Sequence, residues 1–272
     1  MTDKALRNRG LTVLASDMGK SPPPARVIGP AGPISPHPGP PTPPLFAVGV
    51  SRPGSGPHIG SMSAVASSGP GLAAGPPGFR YFPGALDAQA QAALLAEVLA
   101  AVEAAPFYRP TTRGGRPFSV QMTNLGPLGW VSDRAGYRYQ PLHPVTGRPW
   151  PPIPPRLIEL WFALGGATAP PDACLVNLYR GPARMGLHQD RDEADFGQPV
   201  VSVSLGDTAV FRIGASDGGP TRSLRLASGD VCVLAGAARL ARHGIDRLLA
   251  GSSGLIPDGG RLNLTLRRAA AV

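Results

Sequence analysis

His188 and Asp190 stand two residues apart in Leu187-His188-Gln189-Asp190, and His243 follows much later in Arg242-His243-Gly244. In an extended segment residues i and i+2 point to the same side, so an imidazole and a carboxylate would face one point. Two histidines and one carboxylate leave three positions of an octahedral metal open, the arrangement used by non-haem Fe(II) oxygenases. A His-x-Asp on a solvated loop would read the same way, so the triad needs support from elsewhere. Of the remaining histidines, His37 and His58 lie in a proline-rich tail. His143, in Pro141-Leu142-His143-Pro144, reads as structural or exposed.

The support comes from the C-terminal stretch Arg261-Leu262-Asn263-Leu264-Thr265-Leu266-Arg267. As a strand it puts Arg261, Asn263, Thr265 and Arg267 on one face and three leucines on the other. The leucine face is core. The opposite face carries two permanent cations at most about 20 Å apart by strand rise. Facing water, this is an ordinary edge strand; facing a cavity, the two guanidiniums require anions, and a dicarboxylate supplies one for each. Asn177 and Tyr179, also i and i+2, add hydrogen-bonding groups from another strand.

Elements that could hold these groups are legible around them. Asp87 caps a helix over 87–104, with Leu94, Leu95, Val98, Leu99 and Val102 at helical spacing, and Pro106 ends it. A second helix runs over 155–164, with Leu157, Leu160, Trp161 and Leu164 inward and Gly165-Gly166 as its stop. From Cys174 onward the pattern shifts to short strands at 174–179, 200–205, 209–213, 223–227, 231–234, 242–246 and 261–268, separated by Gly- and Asp-rich turns. That predicts a mostly β fold with flanking helices (α+β), a sandwich or jelly roll with both helices on one sheet's outer face. Cys174 and Cys232 fall in these strands as small buried apolar residues.

Composition separates this part from the rest. The 272 residues include 36 glycines and 34 prolines, a share that borders on low complexity, yet 42% are hydrophobic. Sixteen of the prolines lie between Ser21 and Pro77, so residues 1–77 read as a disordered tail and 78–272 as one domain. Met62 is a candidate alternative start. Collagen is excluded by the missing Gly-X-Y period, a membrane span by the lack of a long apolar run. Two isolated cysteines exclude a disulfide framework and a zinc knuckle, and fit a reducing, cytoplasmic compartment. The net charge is +9, and every basic residue after Lys20 is arginine. That pattern follows from a GC-rich genome or from a surface for phosphates.

Taken together, the motifs resemble the AlkB family of Fe(II)/2-oxoglutarate dioxygenases. The resemblance rests on Asn177-Leu178-Tyr179, on His188-Gln189-Asp190-Arg191-Asp192-Glu193, and on Arg261-x-Asn263-x-Thr265-x-Arg267, with His243-Gly244 between the last two. Upstream, Met122-Thr123-Asn124, Leu128-Gly129-Trp130 and Gly136-Tyr137 are similar to the substrate lid of bacterial members, which assigns 106–150 to a lid. The resemblance implies a double-stranded β-helix and His188, Asp190 and His243 as ligands of Fe(II). It implies 2-oxoglutarate held by Arg261, Asn177 and Tyr179 at its distal carboxylate, with Arg267 at the carboxylate near the metal and Asn263 also facing it. With O2, such an enzyme yields succinate, CO2 and formaldehyde from an N-methylated base such as 1-methyladenine or 3-methylcytosine.

The substrate is then single- or double-stranded DNA, with RNA as a second polymer, taken by a monomer away from any membrane. Trp130 and His188 would stack about a flipped base, a base that is cheaper to extrude because methylation blocks its pairing. Tyr137 and Arg191 are candidates for phosphate or lid contacts, Thr112 and Met122 for the pocket wall, and Asp192 for an exocyclic amine. Two features depart from the family pattern: Asp217-Gly218-Gly219 has no basic tip, where Arg222 or Arg225 would substitute, and Leu234 stands where relatives can have an aromatic. Rival readings are an oxygenase acting on protein or small molecules, and a non-catalytic jelly roll that binds nucleic acid.

Overall fold

The computed structural model describes residues 75–270. The expectations for residues 1–74, including the disordered tail and Met62, lie outside the described residues. Residues 75–77, also assigned to that tail, lie in a bend and turn in which the Phe79 amide donates to the Pro76 carbonyl at 3.0 Å.

Twelve strands and two α-helices are described: β1 (Phe79–Phe82), α1 (Ala88–Ala104), β2 (Gln121–Leu125), β3 (Gly129–Asp133), β4 (Gly136–Gln140), α2 (Pro155–Gly165), β5 (Ala173–Tyr179), β6 (Met185–His188), β7 (Val200–Gly206), β8 (Thr208–Gly214), β9 (Thr221–Leu226), β10 (Val231–Leu234), β11 (Arg242–Leu249) and β12 (Arg261–Arg267). A six-stranded sheet runs β1-β10-β7-β12-β5-β2 and a four-stranded sheet runs β6-β11-β8-β9. Their facing apolar side chains, Met122, Leu175 and Leu234 from the larger sheet and Phe211, Ile213 and Ile245 from the smaller, form one core cluster. This is a jelly roll. β3 and β4 pair only with each other, as a separate hairpin.

Both helices cover the outer face of the larger sheet. Leu94, Leu95 and Val98 of α1 and Leu157, Leu160, Trp161 and Leu164 of α2 pack with Val201, Val203, Leu262, Leu264 and Leu266. Asp87 accepts from the Ala90 amide at 2.7 Å and so satisfies one orphan donor at the start of α1. Gly166 closes α2 at φ 66°, the left-handed conformation glycine enters without a steric cost. Leu99, expected on the buried face of α1, is 41% exposed. It lies about 100° round the helix from Val98, past the edge of the stripe that meets the sheet.

The seven expected strands are all present; 231–234 matches at both ends and no end of the others differs by more than three residues. Five others, β1, β2, β3, β4 and β6, lack the alternation that would announce them: Gly129-Trp130-Val131-Ser132-Asp133 and Met185-Gly186-Leu187-His188 carry no clean apolar face. The stretch 106–150 is also divided. β2 is an edge strand of the larger sheet, and residues 129–140 form the separate hairpin.

Candidate active site

β6 ends on His188, and its antiparallel register with β11 sets His243 directly opposite. The approach depends on Gly244. A Cβ there would lie 2.6 Å from the Met185 carbonyl and 2.8 Å from that of Gly186, closer than any side chain tolerates. The two imidazole centroids are 4.5 Å apart. Asp190 follows just past the strand, with Oδ1 3.7 Å from His188 Nε2 and Oδ2 3.8 Å from His243 Nε2. One ligand atom from each residue lies within 4.8 Å of the others.

The protonation of this cluster suits a cation. His188 Nδ1 sits 2.9 Å from the Gly186 carbonyl and His243 Nδ1 3.0 Å from that of Ala241. A carbonyl only accepts, so each Nδ1 donates its proton and each Nε2 is the nitrogen turned toward a metal. Burial, then the neighbouring His188, push the His243 pKa down to about 4, against the pull of Asp190, so its ring is neutral at physiological pH. Burial alone would raise the Asp190 pKa, but Arg267 and the two imidazoles outweigh it and hold the carboxyl well below its ordinary range. His188 is the open side of the cluster, its side chain 40% exposed against 6% for Asp190.

Behind the triad lies a cavity of about 270 Å³ between the two sheets. β12 supplies its polar wall as the period-2 reading predicts, because Leu262, Leu264 and Leu266 are committed to the core beneath the helices. Arg261 is 1% exposed, yet among the described residues the one side-chain hydrogen bond it makes runs from Nη2 to Ser204 Oγ at 2.8 Å. Its Nε and Nη1 have no partner among the described residues. Its guanidinium carbon lies 5.8 Å from the Tyr179 ring centroid, and burial lowers its pKa. Asn177 Oδ1 is likewise buried without a partner among the described residues. Asn263 is engaged within the wall, donating to Ser202 Oγ at 2.7 Å and accepting from Thr265. Arg267, by contrast, is fully paired, its Nη2 3.0 Å from Asp190 Oδ2.

Both expected ligands fit these residues. Two imidazole nitrogens and one carboxylate form a donor set suited to Fe(II) with positions left open. A buried guanidinium with two unused donor nitrogens needs an anion, and the distal carboxylate of 2-oxoglutarate supplies one. Arg261, Asn177 and Tyr179 would hold that end, and Arg267 stands beside the metal-ligand carboxylate.

The hairpin borders the mouth. Trp130 on β3 stacks on Tyr137 of β4 with centroids 5.5 Å apart and meets Phe118 edge-on at 6.2 Å. Its Nε1 donates to Asp192 Oδ2 at 2.8 Å, which leaves Oδ1 for another donor. Trp130, Tyr137, Met122, Arg191 and Asp192 all line the cavity with the triad. Thr112 does not. It belongs to a turn, its hydroxyl accepting from the Arg116 amide at 3.2 Å. His143 is buried and structural: Nε2 donates to the Pro106 carbonyl at 2.8 Å, and Nδ1 accepts from the Val145 and Thr146 amides. At the hairpin after β8, Arg242 Nη2 donates to the Gly219 carbonyl at 2.9 Å and pins the turn that lacks a basic tip.

Sequence reading passes over several neighbours of the site. Ser202 and Ser204 were findable: in Val200-Val201-Ser202-Val203-Ser204-Leu205 they occupy the face opposite Val201, Val203 and Leu205. Glu193, Tyr139 and Arg239 meet through tertiary packing of three separate segments, and no local spacing signals that.

Residues 78–267 match the model of the 2OG-Fe(II) oxygenase superfamily. The chain is 63% identical over 211 residues to the alpha-ketoglutarate-dependent dioxygenase AlkB homolog of Caulobacter vibrioides (strain NA1000 / CB15N), spanning 76% of this chain and 96% of that one. It is 46% identical over 169 residues to the alpha-ketoglutarate-dependent dioxygenase AlkB of Escherichia coli (strain K12), 60% of this chain and 78% of that one. A third relative, the DNA N(6)-methyladenine demethylase ALKBH1C of Arabidopsis thaliana, is 34% identical over 194 residues, 60% of this chain and 42% of that one. The solved structure of OsALKBH1 superposes with a TM-score of 0.61 at 31% identity, over 71% of this chain and 98% of that one.

Proposed function

The chain belongs to the AlkB family of 2OG-Fe(II) oxygenases, and from that premise we propose that it removes N-linked methyl groups from the bases of DNA, with RNA as a second polymer. It is an Fe(II)- and 2-oxoglutarate-dependent dioxygenase using O2. The proposed substrates are bases of the 1-methyladenine and 3-methylcytosine type, and the products are formaldehyde, succinate and CO2.

One observation carries the choice of a base as substrate. The mouth beside His188 is bounded by an indole stacked on a phenol ring and tethered to a carboxylate with one oxygen to spare. Flat walls favour a flat ring, and base–aromatic stacking contributes about 1–3 kcal/mol. The free Asp192 oxygen accepts from an exocyclic amine. Around the same hairpin, Arg109, Arg113, Arg116, Arg134 and Arg184 are exposed, and none lies within ion-pair distance of a carboxylate among the described residues. Arg113 lies 5.6 Å from the Tyr137 ring centroid. Such a rim suits a phosphate backbone, which supplies affinity while the pocket supplies choice.

When bound, iron and 2-oxoglutarate supply the oxidising chemistry that turns an N-methyl group into an N-hydroxymethyl group, which releases formaldehyde. The protein's part is positional. His188 and His243 present Nε2, Asp190 presents a carboxylate kept ionised by Arg267, and Arg261 fixes the far end of the co-substrate. Trp130 and Tyr137 hold the base over the open side of the triad.

The test is direct. The protein is incubated anaerobically with Fe(II), then given 2-oxoglutarate, O2 and single-stranded DNA carrying 1-methyladenine or 3-methylcytosine. Formaldehyde and succinate are expected in equal amounts, both dependent on the methylated DNA. Succinate without DNA-dependent formaldehyde would refute the substrate reading and leave the oxygenase intact.

A further inference from the structure

Glu193 is one of the most buried charges described, its side chain 2% exposed; it lines the cavity but is not one of the three metal-binding side chains. Three side chains from three segments converge on it. The Tyr139 hydroxyl donates to Oε1 at 2.6 Å, Arg239 Nη2 lies 3.2 Å from Oε2, and Arg267 Nε lies 3.4 Å from Oε1. Both arginines also hold Asp190. Arg267 pairs with its carboxylate at 3.0 Å, and Arg239 Nη1 donates to its backbone carbonyl at 2.8 Å. Arg239 is fixed in turn by the Gln198 carbonyl at 3.0 Å and by the Phe196 ring. Tyr139 stands on β4 opposite Trp130, the residue at the mouth of the cavity.

We propose that Glu193 is a positioning residue that ties the β3–β4 hairpin to the metal-ligand carboxylate, so that seating of the hairpin and placement of Asp190 are one event. The charges require a third party at this point. Asp190 and Glu193 balance Arg239 and Arg267, and the sharing of Arg267 between two carboxylates limits its hold on Asp190, whose oxygens must reach a metal. Without the Glu193 charge, Arg267 has Asp190 alone, and Arg239 is left buried without its anion. Two side-chain bonds run from the hairpin to the segment 190–193, from the Trp130 indole to Asp192 and from the Tyr139 hydroxyl to Glu193, and the second is the one that reaches the arginine cluster. Partners behind a metal ligand of this kind typically change metal affinity about 10- to 100-fold when removed.

Two variants separate the parts. Tyr139→Phe cuts only the cluster's link to the hairpin; Glu193→Gln removes the shared charge. Each is compared with the unaltered chain by Mn(II) titration and by hydrogen exchange of residues 129–140, with and without Mn(II) and 2-oxoglutarate. In the unaltered protein, loading is expected to slow exchange in the hairpin. Tyr139→Phe is expected to abolish that slowing while Mn(II) affinity stays within about threefold. Glu193→Gln is expected to abolish it and to weaken Mn(II) binding at least tenfold. The idea is overturned if Tyr139→Phe keeps the full slowing, or if Glu193→Gln binds Mn(II) as the unaltered chain does. Should Glu193→Gln fail to fold, Tyr139→Phe alone decides. The inference rests on the reading of 106–150, which contains this hairpin, as a lid, but neither measurement uses nucleic acid, so a failed demethylation assay leaves it standing.

Discussion

Replacing Arg261 by Met should leave the empty protein about as stable as before and abolish its response to 2-oxoglutarate. The substitution removes two buried donors with no partner, each costing about 1–3 kcal/mol. Against that it loses one charge-assisted bond to Ser204, about 1.5–3 kcal/mol. It also loses a contact with the Tyr179 ring of about 0.5–2 kcal/mol. Met fills similar volume, so the sums nearly cancel and leave about 2 kcal/mol either way. For a domain of roughly 200 residues that shifts Tm by no more than about 4–8 °C.

The ligand response is different. Cutting a buried charge pair costs about 3–5 kcal/mol, at least about 150-fold in affinity for 2-oxoglutarate. With Mn(II) present and co-substrate at about 100 times the unaltered Kd, the unaltered protein gains about 2.7 kcal/mol, or about 5–11 °C. The variant gains about 0.3 kcal/mol, or about 1 °C. Thermal melts of the apo and loaded forms measure both quantities. An Arg261→Met protein that keeps more than half the shift, or whose apo form melts more than about 10 °C lower, refutes the reasoning. The first result would place the carboxylate's partner elsewhere, and the second would mean the guanidinium is satisfied without ligand.

Three further outcomes are expected. Asp190→Asn should lose Co(II) binding and formaldehyde release together, because the amide gives the metal no charge and faces Arg267 with donors; retained Co(II) absorption would move the ligand set. Trp130→Ala should raise the DNA concentration needed for half-maximal formaldehyde release by about 5- to 150-fold, the loss of one base stack, with little change in the 2-oxoglutarate requirement. An unchanged DNA requirement would remove Trp130 from the substrate. His143→Ala should lower Tm, by about 4–12 °C for the two or three hydrogen bonds it forfeits, while metal affinity stays constant in a Co(II) titration. A weakened metal would tie His143 to the site.

The parts of the fold that could be read from sequence are those where one residue's neighbours settle its role. β12 alternates strictly because one face meets leucine-filled core and the other a polar cavity, and α2 shows its buried stripe at helical spacing. Asp87 was legible because capping is a contact three residues long. β6 was not: four residues with an internal glycine carry no pattern, and its place is set by the fit of Gly244 beneath it. Of the site, the triad and the arginine face could be found, whereas Glu193, Tyr139 and Arg239 could not. Tyr139 and Arg239 lie 54 and 46 residues from Glu193 along the chain, so only the tertiary fold brings them together. Thr112 was expected at the pocket wall by likeness, but its hydroxyl closes a local turn that sequence spacing does not reveal.

β12 lies between β5 and β7 and hydrogen-bonds to both. A slip of one residue against these neighbours would send every side chain to the other face. Arg261, Asn263, Thr265 and Arg267 would enter the layer beneath the helices, and three leucines would fill the co-substrate cavity. Such a chain would bury two cations in hydrocarbon and would not hold together. The last strand therefore proofreads the molecule: any copy that folds at all has already aimed its arginines, and inactive but well-folded protein from mispairing at this strand should not accumulate.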